Sequence, residues 1–159
     1  VSPPTETLAH DHRELNELIL AVRAALGRVE RGDSRLEDEL HELRDGIEAF
    51  REALLEHFAR EQEGLLPFVL TRLPAEAARV DELIAEHDRI ADLLTRLVKD
   101  LDALDSSGSI GPFRAAFEGF EGLYAAHSKK ELAFLAEVAG LLAADEAGTT
   151  TLRALLEEP

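Results

Sequence analysis

An all-α fold is expected for this chain of 159 residues: an up-down-up-down antiparallel four-helix bundle with a short C-terminal fifth helix. Three observations predict it. Apolar residues recur at alternating steps of four and three along four long stretches, the period of one helix face. Short clusters rich in Gly, Pro and Ser separate those stretches. The pattern also occurs twice, because Phe50, His57 and Glu61 are matched by Phe120, His127 and Glu131. Each half therefore reads as a helical hairpin, and short connections make neighbouring helices antiparallel. Residues 1–159 read as a single domain, long enough to bury a proper core.

The first helix is expected from about Thr5 to Glu30, with a stripe of Leu8, His12, Leu15, Ile19, Val22, Leu26 and Val29. Histidine takes a place where the pattern calls for leucine. Gly32 and Asp33 end this helix, and Ser34-Arg35-Leu36-Glu37 has the form of a capping box opening the next. The second stripe is Leu36, Leu40, Leu43, Ile47, Phe50, Leu54, His57 and Glu61. Gly64, Pro67 and Pro74 punctuate the chain beyond it, so Leu65 to Arg72 is expected as a kinked continuation or a short helix closing that end.

The third long helix is expected from near Ala75 to about Leu104, with Val80, Leu83, His87, Ile90, Leu94, Leu97 and Leu101 facing inward. Ser106 to Ser109 is a loop. The fourth helix opens near Pro112, a favoured first-turn residue. Its stripe is Phe113, Phe117, Phe120, Tyr124, His127, Glu131, Leu135, Val138 and Leu142. Asp145 to Gly148 breaks the period, and Thr150 to Glu158 suits the short fifth helix.

Composition narrows the chemistry. There is no cysteine, which removes disulfides, zinc–thiolate sites, iron–sulfur clusters and cysteine nucleophiles. A metal would have to be held by His, Asp, Glu or Tyr. A net charge of −16 argues against nucleic acid, since nothing here neutralises a run of phosphates. No apolar run approaches the ~20 residues that cross a bilayer, and Val1 to Thr5 lack the features of a signal peptide. A cytoplasmic protein with no membrane partner is expected. The chain has no glycine-rich phosphate loop and no plausible Ser–His–Asp set.

His57 stands four residues before Glu61, and His127 four before Glu131. On a helix, such pairs lie one above the other and can grip one metal centre. In antiparallel neighbours, residues at one level are equidistant from the turn that joins them. The midpoint of His12 and His57 falls on the turn at Gly32–Ser34, that of Glu61 and His87 at Pro74, and that of His87 and His127 within Ser106–Gly108. Four histidines and two glutamates thus share about one layer facing the bundle axis. As isolated core residues, these groups would each cost about 1–3 kcal/mol unless partnered. A metal partners them all. His10 and His41 fall off the stripe and are expected to face solvent. Tyr124 sits on the stripe as a core tyrosine with a hydrogen-bonded hydroxyl, or alternatively as an iron ligand or a donor to bound oxygen species.

Four imidazoles and two carboxylates are too many for one tetrahedral zinc. They suit two metals, with a histidine pair on each and both glutamates bridging. Mixed nitrogen and oxygen donors favour iron, manganese or a similar first-row metal over calcium or magnesium. The order of a lone His, a His-x-x-x-Glu, a second lone His and a second His-x-x-x-Glu resembles the hemerythrin-like, HHE cation-binding domains, from His12 to Glu131. The resemblance implies a non-heme di-iron centre. In it His12 and His57 would bind one iron and His87 and His127 the other, with Glu61 and Glu131 bridging beside an oxo or hydroxo group. Oxygen-carrying hemerythrins have a fifth histidine on the third helix. Here Leu83 and Ala91 occupy the positions four residues either side of His87, which leans toward the bacterial and regulatory relatives.

The expected function is therefore binding of, or reaction with, oxygen, nitric oxide or hydrogen peroxide, in an oxygen, redox or iron response. A catalase-like enzyme and an iron store without turnover are the alternatives. A sensor would need a separate protein partner. Small ligands are expected to reach the site from the bundle end, past Leu65–Pro74 and the C-terminal segment.

Overall fold

The computed structural model describes residues 5–104 and 108–157, with side chains from residue 12 onward. Among the described residues it is all helical, without strands. The long helices are α1 (Thr5–Glu30), α2 (Leu36–Arg60), α4 (Ala77–Ala103) and α5 (Gly111–Leu141); α3 (Leu66–Arg72) and α6 (Glu146–Glu157) are short. Val1 to Pro4, the side chain of His10, and Ser106 and Ser107 of the expected loop lie outside the described residues. None of the described helices is long and apolar enough to cross a membrane.

The long helices form a closed ring, α1 packing on α2 and α5, and α4 on the same two. The opposite running order of contacts along each pair makes every neighbour antiparallel. Arg28 meets Glu39 at 2.8 Å while His12 meets His57 at 3.2 Å. Arg114 meets Glu30 at 2.7 Å while His12 meets Glu131 at 3.2 Å. Arg79 reaches Glu137 while Glu86 reaches His127, and Arg44 caps the Leu104 carbonyl while Gln62 reaches His87.

The inward stripes are buried as their spacing requires, from Leu15 and Leu26 on α1 to Phe113 and Val138 on α5. They divide into two apolar clusters. The larger runs from Leu15 and Leu40 to Phe58 and Tyr124; the smaller gathers Leu65, Leu66, Val69, Val80, Leu83, Phe134, Leu152 and Leu156 at one end. The polar layer lies between them.

Local chemistry sets the boundaries. Gly32 takes φ 74°, a left-handed conformation that glycine adopts without a Cβ penalty. This lets Asp33 N–H turn back to the Arg28 carbonyl at 2.9 Å and close α1. The expected capping box is corrected: Arg35, not Ser34, flanks the start of α2, and no side chain caps it. The Ser34 hydroxyl is instead drawn to Glu39. Helix α6 begins earlier than its pattern indicated, at Glu146, because the Asp145 carboxylate accepts the Gly148 N–H at 2.9 Å.

Between α2 and α3 the chain makes one π-helical turn, Glu61–Leu65, in which Leu66 N–H reaches back to the Glu61 carbonyl. Pro67 explains it. Proline has no N–H for the Glu63 carbonyl and its ring would crowd that oxygen, so the regular ladder must give way just ahead of it. The extra residue moves the inward face from Glu61 and Leu65 onto Leu66 and Val69. Helix α3 then closes the bundle end, and α6 packs over α1 and the π turn. The end expected to admit small ligands is filled by buried Leu65, Val69, Leu152 and Leu156.

Candidate metal centre

Each long helix delivers its share of the polar layer from its inward stripe: His12 from α1, His57 from α2, His87 from α4, His127 and Glu131 from α5. Glu61 comes from the first residue of the π turn. All six are between 1% and 5% exposed. Every residue expected in this layer is therefore in it.

The two glutamates are shared between histidine pairs. Glu61 Oε1 lies 3.0 Å from His57 Nε2, and its Oε2 lies 3.2 Å from His87 Nε2. Glu131 Oε1 lies 3.2 Å from His12 Nε2, while its Oε2 lies 3.3 Å from His127 Nε2 and 3.5 Å from His87 Nε2. On one side, donor atoms of His12, His57, Glu61 and Glu131 all fall within 4.8 Å of one another; on the other, so do those of His87, His127 and Glu131. Glu131 belongs to both sets.

These groups do not satisfy each other. Both oxygens of Glu61, Oε1 of Glu131, and Nε2 of His87 and His127 are buried without a hydrogen bond. They stand within ion-pair distance but are not aligned as donor and acceptor. Their separations have another meaning. Ligands held about 2.1 Å from a metal lie roughly 3 Å apart along the edges of its coordination polyhedron, and 3.0–3.5 Å is the spacing found here. Converging, buried, unpaired nitrogen and carboxylate donors are a set that cations fit.

Protons take up part of the charge where no cation does. Burial pushes the His87 imidazole toward its neutral form, but the Glu131 and Glu61 carboxylates outweigh that and hold its pKa up at about 9. His127 is raised in the same way, by Glu131 and Glu86 against burial. Burial alone would raise Glu131, yet the facing imidazoles of His12, His127 and His87 hold it well below the usual carboxylate range.

The surroundings are apolar and aromatic. Phe58 stacks on His87 with ring centroids 3.9 Å apart. Tyr124 packs edge-on to Phe50 and parallel to Phe120, with its ring centroid 6.5 Å from that of His12. It is a core tyrosine as expected, but its hydroxyl makes no hydrogen bond of acceptable geometry. Burial pushes that phenol's pKa up, opposed by the nearby Ser128 hydroxyl. His41, expected at the surface, is exposed and faces Asp45.

Two residues behind the histidines are not apparent from sequence pattern. Glu86, one position before His87, accepts from His127 Nδ1 at 2.8 Å and is held on its other oxygen by Lys130. Gln62 meets His87 Nδ1 at 3.0 Å. The only signal for Glu86 is its place at the edge of a buried stripe, one acid among many on an acidic chain.

Residues 4–156 match the family described as the Hemerythrin HHE cation binding domain. The chain belongs to that family. No curated protein and no solved structure gives a significant match. The chain is thus an HHE cation-binding domain, and its buried His/Glu clusters are groups that could hold a metal ion.

Proposed function

We propose that this HHE domain is a non-heme di-iron protein that binds or reacts with a small oxygen species: oxygen, nitric oxide or hydrogen peroxide. His12 and His57 hold one iron, His87 and His127 the other, and Glu61 and Glu131 span the two. The observation that carries this reading is the division of each carboxylate, with one oxygen facing one histidine pair and the other oxygen facing the second. A single cation on one histidine pair would leave unserved the oxygen that faces the other pair.

Iron bound there supplies two adjacent redox-active Lewis acids. Nitrogen and carboxylate donors with no thiolate suit iron, and manganese less well. The chain supplies the enclosure. Phe58, Tyr124 and the two apolar clusters keep bulk water from the layer, which strengthens every charge interaction inside it. Tyr124 places a buried hydroxyl, free to donate a hydrogen bond, on the His12 side.

The test is metal content with a visible spectrum, on protein produced with ample iron and without an affinity tag. Near two irons per chain, with an iron-dependent absorption lost in His57→Ala, is the expected result. No bound metal, together with a fold untouched by His57→Ala and Glu61→Ala, would sink the reading. Iron-loaded protein then separates the roles. A stable spectral adduct with nitric oxide marks binding, oxygen release from peroxide marks catalase-like turnover, and neither marks storage.

A further inference from the structure

We infer that Glu86 is a positioning residue for one of the two cations only, the one held by His87 and His127, and that it acts by fixing which nitrogen of His127 faces the metal. The inference rests on the di-iron reading and deepens it.

The geometry is specific. His127 and Lys130 stand three residues apart on α5, so both lean toward the same neighbour, α4. Glu86 enters between them from α4, one oxygen 2.8 Å from His127 Nδ1 and the other on the Lys130 ammonium. Lys130 also holds Glu82 at 2.8 Å, so the chain of contacts runs from the buried imidazole out to exposed side chains. With one oxygen taken by an ammonium, Glu86 faces His127 as an acceptor. Nδ1 then carries a proton, and in the neutral imidazole that a metal requires it is Nε2 that turns its lone pair to the layer. A neutral imidazole binds metal through its bare nitrogen, and an acceptor behind the other nitrogen sets its tautomer, its ring orientation and its basicity.

The other side of the layer has no such arrangement at His12. Its Nδ1 is buried without a hydrogen-bond partner. Gln62 does not duplicate the role of Glu86, because an amide serves either tautomer: its nitrogen donates to a bare Nδ1, and its oxygen accepts from an N–H.

The experiment titrates metal-free protein with Co2+ and follows the d–d absorption, for the wild type, Glu86→Ala and Glu86→Gln. In parallel, the ring-nitrogen NMR shifts of His127 are recorded without metal, at a pH alkaline enough for the imidazole to be neutral, since only a neutral ring has a tautomer. The expected result is two bound ions per chain, one of which Glu86→Ala weakens by about 10–100-fold while leaving the other unchanged. Glu86→Gln, whose amide can still meet Nδ1 but no longer selects one tautomer, recovers only part of that loss. The NMR shifts place the proton of wild-type His127 on Nδ1, and Glu86→Ala moves it into a tautomer mixture.

Equal weakening of both ions, or of neither, with the helical content intact would overturn the inference. So would a His127 tautomer that ignores the substitution. Should Glu86→Ala fail to fold, the NMR assignment on the wild type still decides, because a proton on Nε2 overturns it. Failure of the wild type to bind any metal would instead strike the di-iron reading, while the tautomer measurement stands apart.

Discussion

Two buried carboxylates, Glu39 and Glu131, sit near opposite ends of α1 and answer the same physical problem differently. Glu39 faces Arg28 across the α1–α2 turn and takes two parallel bonds from its guanidinium, at 2.8 and 2.9 Å. Both oxygens are served and the partner reaches water. The pair is complete within the protein. Glu131 is more deeply buried and touches three histidines, yet one of its oxygens has no hydrogen bond and two of the facing nitrogens have none either. The difference teaches how a structural ion pair is told from a cation site: not by burial or charge, but by whether the donors and acceptors account for each other.

The sharpest way to break this comparison is to remove each carboxylate in turn. Glu131 is common to both donor sets, so Glu131→Ala should take iron from about two per chain to none, by elemental analysis. Arg28→Ala should leave the metal content unchanged. Iron retained by Glu131→Ala would undo the idea that this residue spans two positions.

Thermal unfolding gives the next largest effect. A cation that binds only the folded chain stabilises it by about 4 kcal/mol at a thousandfold excess over its dissociation constant, which for a chain of this size raises Tm by about 8–16 °C. Arg28→Ala should lower Tm much less than metal raises it, since Arg28 is a third exposed and solvent screens the pair. A Tm indifferent to metal would show that the polar layer has no stake in a cation.

The smallest expected effects are two separate pH windows in the metal-free protein. Hydrogen bonds from Arg28 and then Ser34 hold the Glu39 carboxyl down at about 2. Its stabilisation is therefore full above the ordinary value of 4.5 and is lost as pH falls toward 2. His87 runs the other way. Held up at about 9 against an ordinary 6.5, it stabilises fully below 6.5, and that contribution disappears as pH rises through 9. Denaturant titrations across both ranges should show Arg28→Ala flattening the acid limb alone. Saturating cation should flatten the alkaline one, because metal displaces the proton and acid then competes with binding.

Much of this is legible in the sequence, and for identifiable reasons. Helical period and turn residues place His12, His57, His87 and His127 on inward stripes, and equal distances from three turns put them at one level. Both are matters of counting along a chain. What counting does not reach is sideways. Glu86 lies just off its stripe, and its importance depends on α5 presenting His127 and Lys130 to it, which no spacing on α4 reveals. The π turn is legible only as a disturbance around Gly64 and Pro67. Tyr124 falls in the core as its spacing requires, but the lack of a hydrogen bond at its hydroxyl depends on neighbours from other helices. The capping box fails because its four-residue pattern fits Ser34, while the backbone opens the helix one residue later at Arg35.

The π turn has a further consequence, for the phase of the helix. It adds one residue to the spiral immediately after Glu61 and before the apolar plug that seals the bundle end. Everything upstream keeps the rotation that aims His57 and Glu61 inward, and everything downstream is turned by about 100° relative to an unbroken helix. The two segments need not share one angular setting. Deleting Gly64 should therefore swing Leu66 and Val69 off the core while leaving His57 on its stripe, so that a slip in the plug loosens the lid before it disturbs the grip.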